Sequence, residues 1–376
     1  MRNARVGEVM AAMDRWAPAW LAEPWDRVGL FTGDPAQEAG HLWVALEVTP
    51  RLLEEAVAAG VQMILTHHPP IFTPLENLRS DNPAAACPLL AATHGIALFA
   101  AHTNLDSAIG GVNDVLAQRL GLGGLRPLQA AGTQGLVKLV TFAPPEAVDA
   151  VAAAMFAAGA GRIGDYRECA FSAPGTGSFL APADGRPRVG EPGRRSRVEE
   201  RRLETVAARA DVDRVIAALL QAHPYQEPAY DVYRLDQGPA GVGLGRVGDL
   251  PEPEDGRAWV QRAARELGAP AATLAGDLPE RVGRVAVVGG SGGELITAAA
   301  AAGAQVLVTG EAGHHMHEKA AAAGICLVVL GHYQTEVVII EPWARRLERM
   351  LQEAGLAGRV RAWLDPQPPW RPVGPG

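Results

Sequence analysis

The chain has 376 residues, of which 48% are hydrophobic and 20% are charged, and its formal net charge is −8. That length allows two or three domains, and the composition is typical of a folded globular protein. The acidic balance, without any long run of Lys or Arg, argues against a broad basic face and makes nucleic acid an unfavoured partner.

No uninterrupted apolar stretch reaches the roughly 18 residues that a membrane span needs. Residues 1–16 form an amphipathic pattern and lack the apolar core of a signal peptide. Three cysteines, Cys87, Cys169 and Cys326, have no metal-ligand spacing and leave an odd thiol, as is common in a reducing compartment. The sequence therefore predicts a cytoplasmic protein with no membrane partner.

The first third of the chain alternates short apolar runs with Ala-rich stretches. The strands are predicted over 41–47, 61–66 and 95–102, and the helices over 50–59, 83–93 and from Asn113 onwards. Strands that alternate with helices indicate a parallel sheet with right-handed crossovers. Residues 1–126 are therefore interpreted as a first α/β lobe.

The middle, residues 127–245, has a different character and contains none of the eight tryptophans. The pattern predicts strands over 136–142, 166–172, 198–206 and 229–235, and helices over 145–158 and 211–222. That βαββαβ order is the ferredoxin-like arrangement. A Gly/Pro/Arg-rich stretch, 173–197, between its halves is interpreted as a long loop or a hairpin. We expect an inserted α+β domain here.

The last third, 246–376, repeats the α/β alternation. Its predicted strands cover 284–290, 304–310 and 325–331, and its predicted helices cover 291–303, 313–323 and 335–353. This part is interpreted as a second lobe, and the sequence leaves open whether it continues the first sheet. The predicted fold is thus α/β, with two α/β lobes that form one discontinuous domain around an inserted ferredoxin-like domain.

Three short segments with histidine or carboxylate side chains each follow a predicted strand. Such strand ends open onto the crevice where α/β proteins bind ligands. Imidazole and carboxylate groups together suit a divalent transition metal. The candidate metal ligands in these segments are His67, His68, Asp106, His332 and Glu336. The sequence predicts a metal centre built across the two lobes.

Each of these signals also has an ordinary structural explanation. An adjacent pair of histidines is more often structural or exposed than ligating. The i,i+4 spacing of His332 and Glu336 also suits a hydrogen bond on a helix surface. Asp106 could cap the helix that follows it. Their joint position at three strand ends is what favours the metal site.

Five ligands are too many for one tetrahedral structural zinc and too few for two closed sites. Two ions with open positions, bridged by a carboxylate, fit this number better, and Glu336 is the natural bridge. His102 and Glu311 are candidates for proton transfer or for supporting a ligand, although His102 could equally be a buried imidazole bonded to backbone. The residue types suit Zn, Mn, Fe, Co or Ni.

A second histidine-rich stretch competes with this set. His314, His315 and His317 follow Glu311 at a predicted helix start, where only one or two of them can face a single site. The remaining histidines, His41, His94 and His223, are interpreted as structural. The segment Gly289–Gly293 either holds an anion at a helix N-terminus or forms a tight turn for helix–sheet packing, and it matches neither a Walker A motif nor GxGxxG.

Taken together, these segments resemble the NGG-interacting-factor-three-like proteins, whose bacterial members are commonly labelled GTP cyclohydrolase 1 type 2 homologues. The segments that carry the resemblance run along nearly the whole chain: Trp25-Asp26-Arg27-Val28-Gly29-Leu30, 65–69, 101–106, 110–114, 289–293, 309–311 and 331–336. The inserted part matches the long bacterial form through 175–179, 198–200, 204–206, 223–231 and 243–248. Insertions of this kind are similar to PII and CutA-type trimeric modules.

The resemblance implies a dinuclear divalent-metal site at the five candidate ligands and a ring-shaped homohexamer. It also implies a metal-dependent hydrolase with a nucleotide-like, small-molecule substrate; in its literal form, GTP loses formate as the imidazole ring of guanine opens. A non-enzymatic alternative is a metal-dependent regulatory or assembly protein whose inserted domain senses a small molecule or partner. The chain departs from the family at Arg27, where Asn is usual, at Phe31, where Gln is usual, and at Gln334-Thr335.

Overall fold

The structure is a computed structural model that describes residues 1–131, 136–163, 166–184, 189–235 and 241–365. The helices, in chain order, are α1 Val6–Trp16, α2 Pro50–Ala59, α3 Pro83–Thr93, α4 Thr103–Ser107, α5 Val112–Arg119, α6 Val148–Ala157, α7 Val212–Ala222, α8 Gly256–Glu266, α9 Ile296–Ala301, α10 His314–Ala322, α11 His332–Glu336 and α12 Ile340–Glu353. The strands are β1 Gly29–Thr32, β2 His41–Ala45, β3 Met63–Thr66, β4 Ala97–Ala100, β5 Gly123–Ala130, β6 Leu136–Ala143, β7 Ala170–Leu180, β8 Arg195–Ala208, β9 Tyr230–Arg234, β10 Gly243–Asp255, β11 Thr273–Ala275, β12 Arg281–Ser291, β13 Val306–Glu311, β14 Cys326–Val329 and β15 Arg359–Ala362. None of the described helices combines the length and apolarity that a membrane crossing demands.

The chain divides into two compact units. The first unit is discontinuous and contains Met1–Ala130 together with Gly241–Gly376, and the second is Ala131–Ala240. The first unit holds two mixed sheets with helices, and the second holds one antiparallel sheet. The architecture is therefore α/β with an α+β segment in the middle of the chain.

The first sheet has the order β1-β4-β3-β2-β15. Strands β15, β2, β3 and β4 are parallel, and β1 is antiparallel at the edge beside β4. All residues of β3 and β4 are buried, as expected for parallel strands covered on both faces. Strand β15, the last strand among the described residues, thus completes the sheet of the first lobe.

The second sheet has the order β11-β14-β13-β12-β10-β5. Strands β12, β13 and β14 are parallel, whereas β5, β10 and β11 are antiparallel to their neighbours. Strand β5 comes from the N-terminal part of the chain. Apart from β15, the strands of the second lobe therefore form a separate sheet, and each sheet contains a strand from the opposite end of the sequence.

Helix α2, which connects two strands of the first sheet, shows why the local sequence folds as it does. The Thr49 side chain caps the helix by accepting a hydrogen bond from Leu52 N (3.1 Å), and Pro50 takes the first helical position. Gly60 ends the helix in a left-handed conformation with φ of 67°. Gly60 therefore ends α2 shortly before β3 begins at Met63. Strand β3 ends at Thr66, directly before His67.

A buried arginine ties the second sheet to the helices α4 and α5. Arg246 on β10 is 1% exposed, and its Nε donates to Asp114 Oδ1 at 2.5 Å. Its other guanidinium nitrogens donate to the carbonyls of Gly243 (2.6 Å) and Ala108 (3.1 Å). A buried charge is tolerated only when it is paired and fully hydrogen-bonded, as it is here. The contact fixes α4, which carries Asp106, against the second sheet.

The second unit has the element order β6-α6-β7-β8-α7-β9 and the sheet order β7-β8-β6-β9, with all pairs antiparallel. This is the βαββαβ order that the sequence predicts. Strands β7 and β8 extend far into the Gly/Pro/Arg-rich stretch, which therefore forms a hairpin rather than a long loop; residues 185–188 of that stretch lie outside the described residues. His223 bonds the carbonyl of Phe142 at 3.0 Å, which is a structural role.

Candidate metal centre

The two adjacent histidines follow directly after the buried strand β3. The backbone amides of His67 and His68 bond the carbonyls of Ala45 (3.3 Å) and Leu46 (2.8 Å), so the chain stays aligned with β2 after the strand ends. The Thr66 hydroxyl donates to His68 O at 2.8 Å and tightens the turn. As a result both rings lie at one site, with centroids 5.4 Å apart.

The His67 ring is fully buried and its two nitrogens have different surroundings. Nδ1 bonds the carbonyl of Ala101 at 2.9 Å, so it carries the proton and donates it. Nε2 lies 3.7 Å from both Asp106 Oδ1 and Glu336 Oε1. Within the described residues, His67 Nε2 and Asp106 Oδ1 are buried without a hydrogen-bond partner. Buried polar atoms normally have partners, so this pair requires an explanation.

Asp106 is held in place through its backbone by Asn113. The Asn113 amide nitrogen donates to Asp106 O at 3.0 Å, and its Oδ1 accepts from Gly289 N at 2.8 Å. The same side chain therefore links helix α4 to the end of β12. This link brings a carboxylate from the first lobe next to the glycine-rich segment of the second.

Helix α11 carries His332 and Glu336 on one face. Glu336 is almost fully buried, and its Oε2 lies 2.9 Å from His68 Nε2 and 3.1 Å from His332 Nε2. Its Oε1 faces His67 Nε2 instead. The two oxygens of a single carboxylate thus face two different sets of side chains.

The glycine-rich segment after β12 makes room for Glu336. Gly290 has a φ of +60°, and a Cβ on it would lie 2.2 Å from Glu336 Oε1. The amides of Gly290 and Gly292 are already bonded to the hydroxyls of Thr335 (3.1 Å) and Thr309 (2.8 Å). The segment is therefore a tight turn for close packing, and these two amides are not free to hold an anion.

His102 completes the cluster and depends on Asp26. Its Nδ1 lies 2.8 Å from Asp26 Oδ1, and the amide and hydroxyl of Thr103 donate to Asp26 Oδ2. Burial raises the pKa of Asp26, but the hydrogen bonds from His102 and Thr103 outweigh burial and lower that pKa to about 2. The His102 ring lies 5.1 Å from the ring of His67, and its Nε2 is left for the site.

Two carboxylates lie on the solvent side of the cluster. Glu311 is 59% exposed, with Oε1 at 3.3 Å from His332 Nδ1, so it contacts a candidate ligand from outside. Glu47 Oε2 lies 3.9 Å from His68 Nδ1. Asp26 and Glu47 are not among the residues predicted from the sequence. Glu47 lies two residues after β2, as His68 lies two residues after β3, so its position at a strand end could have indicated it, and Asp26 lies within one of the motifs that carry the family resemblance.

The other histidines lie elsewhere. His314 and His315 are 82% and 91% exposed on α10 and lie 3.8 Å from Glu318, and His317 on the same helix has a buried Nε2 without a partner among the described residues. His41 accepts from Trp43 Nε1 at 3.3 Å. The structure thus brings His67, His68, His102, Asp106, His332 and Glu336 together, and leaves the second histidine-rich stretch outside.

The protonation of the cluster reflects its crowding. Burial raises the pKa of the Glu336 carboxyl, but the hydrogen bonds from His332 and His68 and the nearby imidazole of His67 outweigh burial and hold that pKa well below its ordinary value. Burial lowers the pKa of His68, but Glu336 and Glu47 raise it to about 10. Burial raises the pKa of Asp106. In the ion-free protein, protons on the imidazoles therefore balance the buried carboxylate.

This set of donors fits a divalent metal. His67, His68 and His102, and separately His68, His332 and Glu336, each bring three ligand atoms within 4.8 Å of one another. Imidazole nitrogen and carboxylate oxygen are the donors that such ions prefer. The unpartnered Nε2 of His67 and Oδ1 of Asp106 face each other in the same place. The cluster could therefore hold a metal ion.

Comparison with known proteins gives one consistent result. Residues 4–363 match the family Duf34/NIF3 (NGG1p interacting factor 3). A GTP cyclohydrolase 1 type 2 homolog from Halalkalibacterium halodurans is 36% identical over 353 residues, which cover 94% of this chain and 95% of the relative. A protein of the same name from Bacillus subtilis is 38% identical over 347 residues, with 92% of each chain covered.

Solved structures agree with this match. A Bacillus cereus protein related to NIF3 superposes with a TM-score of 0.77 at 34% identity, covering 99% of this chain and all of the other. A Staphylococcus aureus protein superposes with a TM-score of 0.79 at 26% identity, with the same coverage. The family model covers nearly the whole chain, and the chain therefore belongs to the Duf34/NIF3 (NGG1p interacting factor 3) family.

Proposed function

We propose that the cluster binds two divalent metal ions that share Glu336, and that the protein is a metal-dependent hydrolase. The observation that carries this proposal is the arrangement around one carboxylate. Glu336 Oε2 is bonded by His68 and His332, while Oε1 faces the unpartnered Nε2 of His67, which also faces the unpartnered Oδ1 of Asp106. A single ion would leave one of these two sets unused.

The proposed ligands form two sets, one for each carboxylate oxygen of Glu336. His67 Nε2 and Asp106 Oδ1 belong with Glu336 Oε1, and the rings of His68 and His332 belong with Oε2. Each set would supply three donor atoms, which suits a catalytic rather than a closed structural site. Zn, Mn, Fe, Co and Ni all suit these donors.

Ions bound there would lower the pKa of a coordinated water toward neutrality, and this is the chemistry that they supply. The protein's own groups would orient and move protons. Because His102 Nδ1 donates to Asp26, Nε2 of His102 is left to accept or return a proton at the site. Glu311 contacts the outer nitrogen of His332 and would hold that ring in its ligating orientation.

The substrate class rests on the relatives. The similar curated proteins are named GTP cyclohydrolase 1 type 2 homologs, which supports a nucleotide-like, small-molecule substrate. We also propose, from the family resemblance, a cytoplasmic homohexamer. Opening of the guanine imidazole ring with release of formate is the literal form of this proposal.

Elemental analysis combined with a turnover screen tests the function. Purified protein is loaded in turn with Zn, Mn, Fe, Co and Ni, its metal content per chain is measured, and each form is assayed with GTP and other nucleotides. We expect about two ions per chain, with turnover in at least one form. His67→Ala and Glu336→Ala should abolish turnover, while the exposed His315→Ala should not.

Turnover that survives both substitutions in a metal-replete preparation would contradict the hydrolase. Two bound ions with no turnover of any nucleotide would instead favour a regulatory or assembly protein. In that case retained binding of a specific partner would be the property to measure.

A further inference from the structure

Two exposed aromatic side chains lie beside the cluster. Trp25 is 57% exposed and Phe72 is 50% exposed. Their ring centroids are 6.1 Å apart with the planes tilted by 52°. The Trp25 ring also meets the His102 ring edge-to-face at 6.3 Å. Isolated exposed apolar residues are ordinary, but a contacting pair next to convergent polar groups is typical of a ligand site.

The position of both rings is set by the contacts that build the metal centre. Trp25 directly precedes Asp26, whose carboxylate is bonded by His102 and by the amide of Thr103 at 3.0 Å. Phe72 follows the histidine pair after Pro69-Pro70, whose rings restrict the backbone. The aromatic pair is therefore anchored to the same groups as the site and faces solvent at its edge.

The chemistry of the pair indicates what it would bind. An exposed aromatic face stacks on planar rings, and such stacking tolerates different nucleobases because every base has a π face. The His102 ring contacts both the Trp25 ring and the His67 ring, with centroids 6.3 Å and 5.1 Å away respectively. A planar ring stacked on this pair would therefore present its edge to His102 and the cluster.

We propose that Trp25 and Phe72 form the subsite that binds the planar heteroaromatic ring of the substrate; this inference rests on the proposed function. The other candidate occupant of an exposed apolar pair is a second copy of the chain. The cores of such interfaces are depleted in charge. Here Glu47 and Glu311, with side chains 40% and 59% exposed, contact His68 and His332 of the same cluster. A small ligand leaves these carboxylates in water.

Calorimetric titration of metal-replete protein with guanosine 5′-monophosphate tests the subsite, with ribose 5-phosphate as the probe that lacks the ring. Loss of one stacking partner weakens binding of a base by about 5- to 100-fold. We expect that loss for Trp25→Ala and Phe72→Ala, and near wild-type binding for Trp25→Phe. Ribose 5-phosphate binding should not change. Leu78→Ala is the control, because Leu78 is 64% exposed on the same segment as Phe72.

The outcomes separate this inference from the proposed function. If the protein turns over no nucleotide but binds guanosine 5′-monophosphate in a way that depends on Trp25, the hydrolase fails and the subsite stands. If nucleotides are turned over and both alanine variants keep the wild-type Kd and KM, the subsite is overturned. A change in oligomeric mass by light scattering with unchanged Kd also overturns it, since the pair would then be a contact between copies.

Discussion

Two histidine-rich regions of the same unit have opposite surroundings. His67 and His68 follow a buried strand, and His67 is fully buried with Nδ1 bonded to a backbone carbonyl. His314 and His315 lie at the start of helix α10, almost fully exposed, and each ring is 3.8 Å from Glu318. The second region has three histidines within 314–317, against two in the first, and yet it is the first that meets carboxylates from distant parts of the chain.

The difference lies in what fixes each ring. A ligand must be held in one orientation before the ion arrives, and a backbone or carboxylate partner on the outer nitrogen provides that. His67 has Ala101 O, His102 has Asp26 and His332 has Glu311. An exposed imidazole on a helix surface keeps its rotational freedom, so its ion pair with a carboxylate contributes little to fixing the orientation of the ring. Position at a strand end is therefore more informative than histidine density.

The strongest test of this contrast is removal of the shared carboxylate. Glu336→Ala takes away an oxygen from both sets of ligands, so we expect metal content per chain to fall from about two to below one. Removal of a group that only orients a ligand lowers metal affinity by about 10- to 100-fold, and the loss in this variant should be larger. Elemental analysis after dialysis measures it. Glu318→Ala, which removes the carboxylate near His314 and His315, should keep the wild-type metal content; equal losses in the two variants would refute the contrast.

The second test uses the turn that makes room for Glu336. In Gly290→Ala, the new Cβ would stand 2.2 Å from Glu336 Oε1, at a φ of +60° that disfavours any side chain. We expect a loss of about 1–3 kcal/mol in the free energy of unfolding and reduced metal content. Urea denaturation and elemental analysis measure the two effects.

Gly313→Ala is the matched control for that substitution. Gly313 precedes α10 with a φ of −72°, and nothing lies within 4 Å of the position of its Cβ. It should be neutral in both measurements. If Gly290→Ala were equally neutral, the close approach of the turn to Glu336 would not matter for the site.

Much of the fold could be predicted because local signals mark the elements. The bounds of α2 and α3 match the sequence prediction, since Thr49 and Asn82 cap them and proline takes the first helical position in both. Strands β5 and β10 have no such signal, because glycines and prolines interrupt them. Pairing of β5 with β10, and of β10 with β12, holds them in the sheet. Likewise β15 joins β2 from the far end of the chain, which no local pattern can indicate.

The metal centre shows the same difference between what local sequence indicates and what depends on contacts between distant segments. The five candidate ligands could be selected because each follows a strand, and strand ends are visible in the apolar pattern. The importance of Asp26 could not be seen in this way, because its role depends on meeting His102, 76 residues away. The close approach of Gly290 to Glu336 is likewise a contact between distant segments. Local sequence thus indicates the donors and Glu311, while the orienting role of Asp26 emerges only from tertiary contacts.

The third test concerns Asp26, which orients a ring without belonging to the ligand set. Its pKa is lowered to about 2 from 3.8 and its side chain is fully buried. A lowered folded-state pKa stabilises the protein above pH 3.8, and that contribution is lost as the pH falls toward 2. At about 1.4 kcal/mol per pKa unit, Asp26→Asn should cost about 2 kcal/mol at pH 7 in ion-free protein, and less in acid.

Urea denaturation of ion-free protein at pH 7 and pH 3 measures the effect of Asp26→Asn. Asp249→Asn is the comparison, because Asp249 pairs with Arg284 on the surface, where such a pair contributes little to stability. A loss that is the same at both pH values would mean that the charge of Asp26 is not what stabilises the protein.

The smallest effect is expected where the sequence is richest in histidine. The double variant His314→Ala, His315→Ala removes two rings that are 82% and 91% exposed, and surface changes of this kind stay within about 0.5 kcal/mol. Metal content and the urea midpoint should equal those of the wild type, while His67→Ala should lower the metal content under the same conditions. If the double variant lost metal as His67→Ala does, exposed rings would be supplying ligands, and a buried position after a strand would no longer explain which histidines bind.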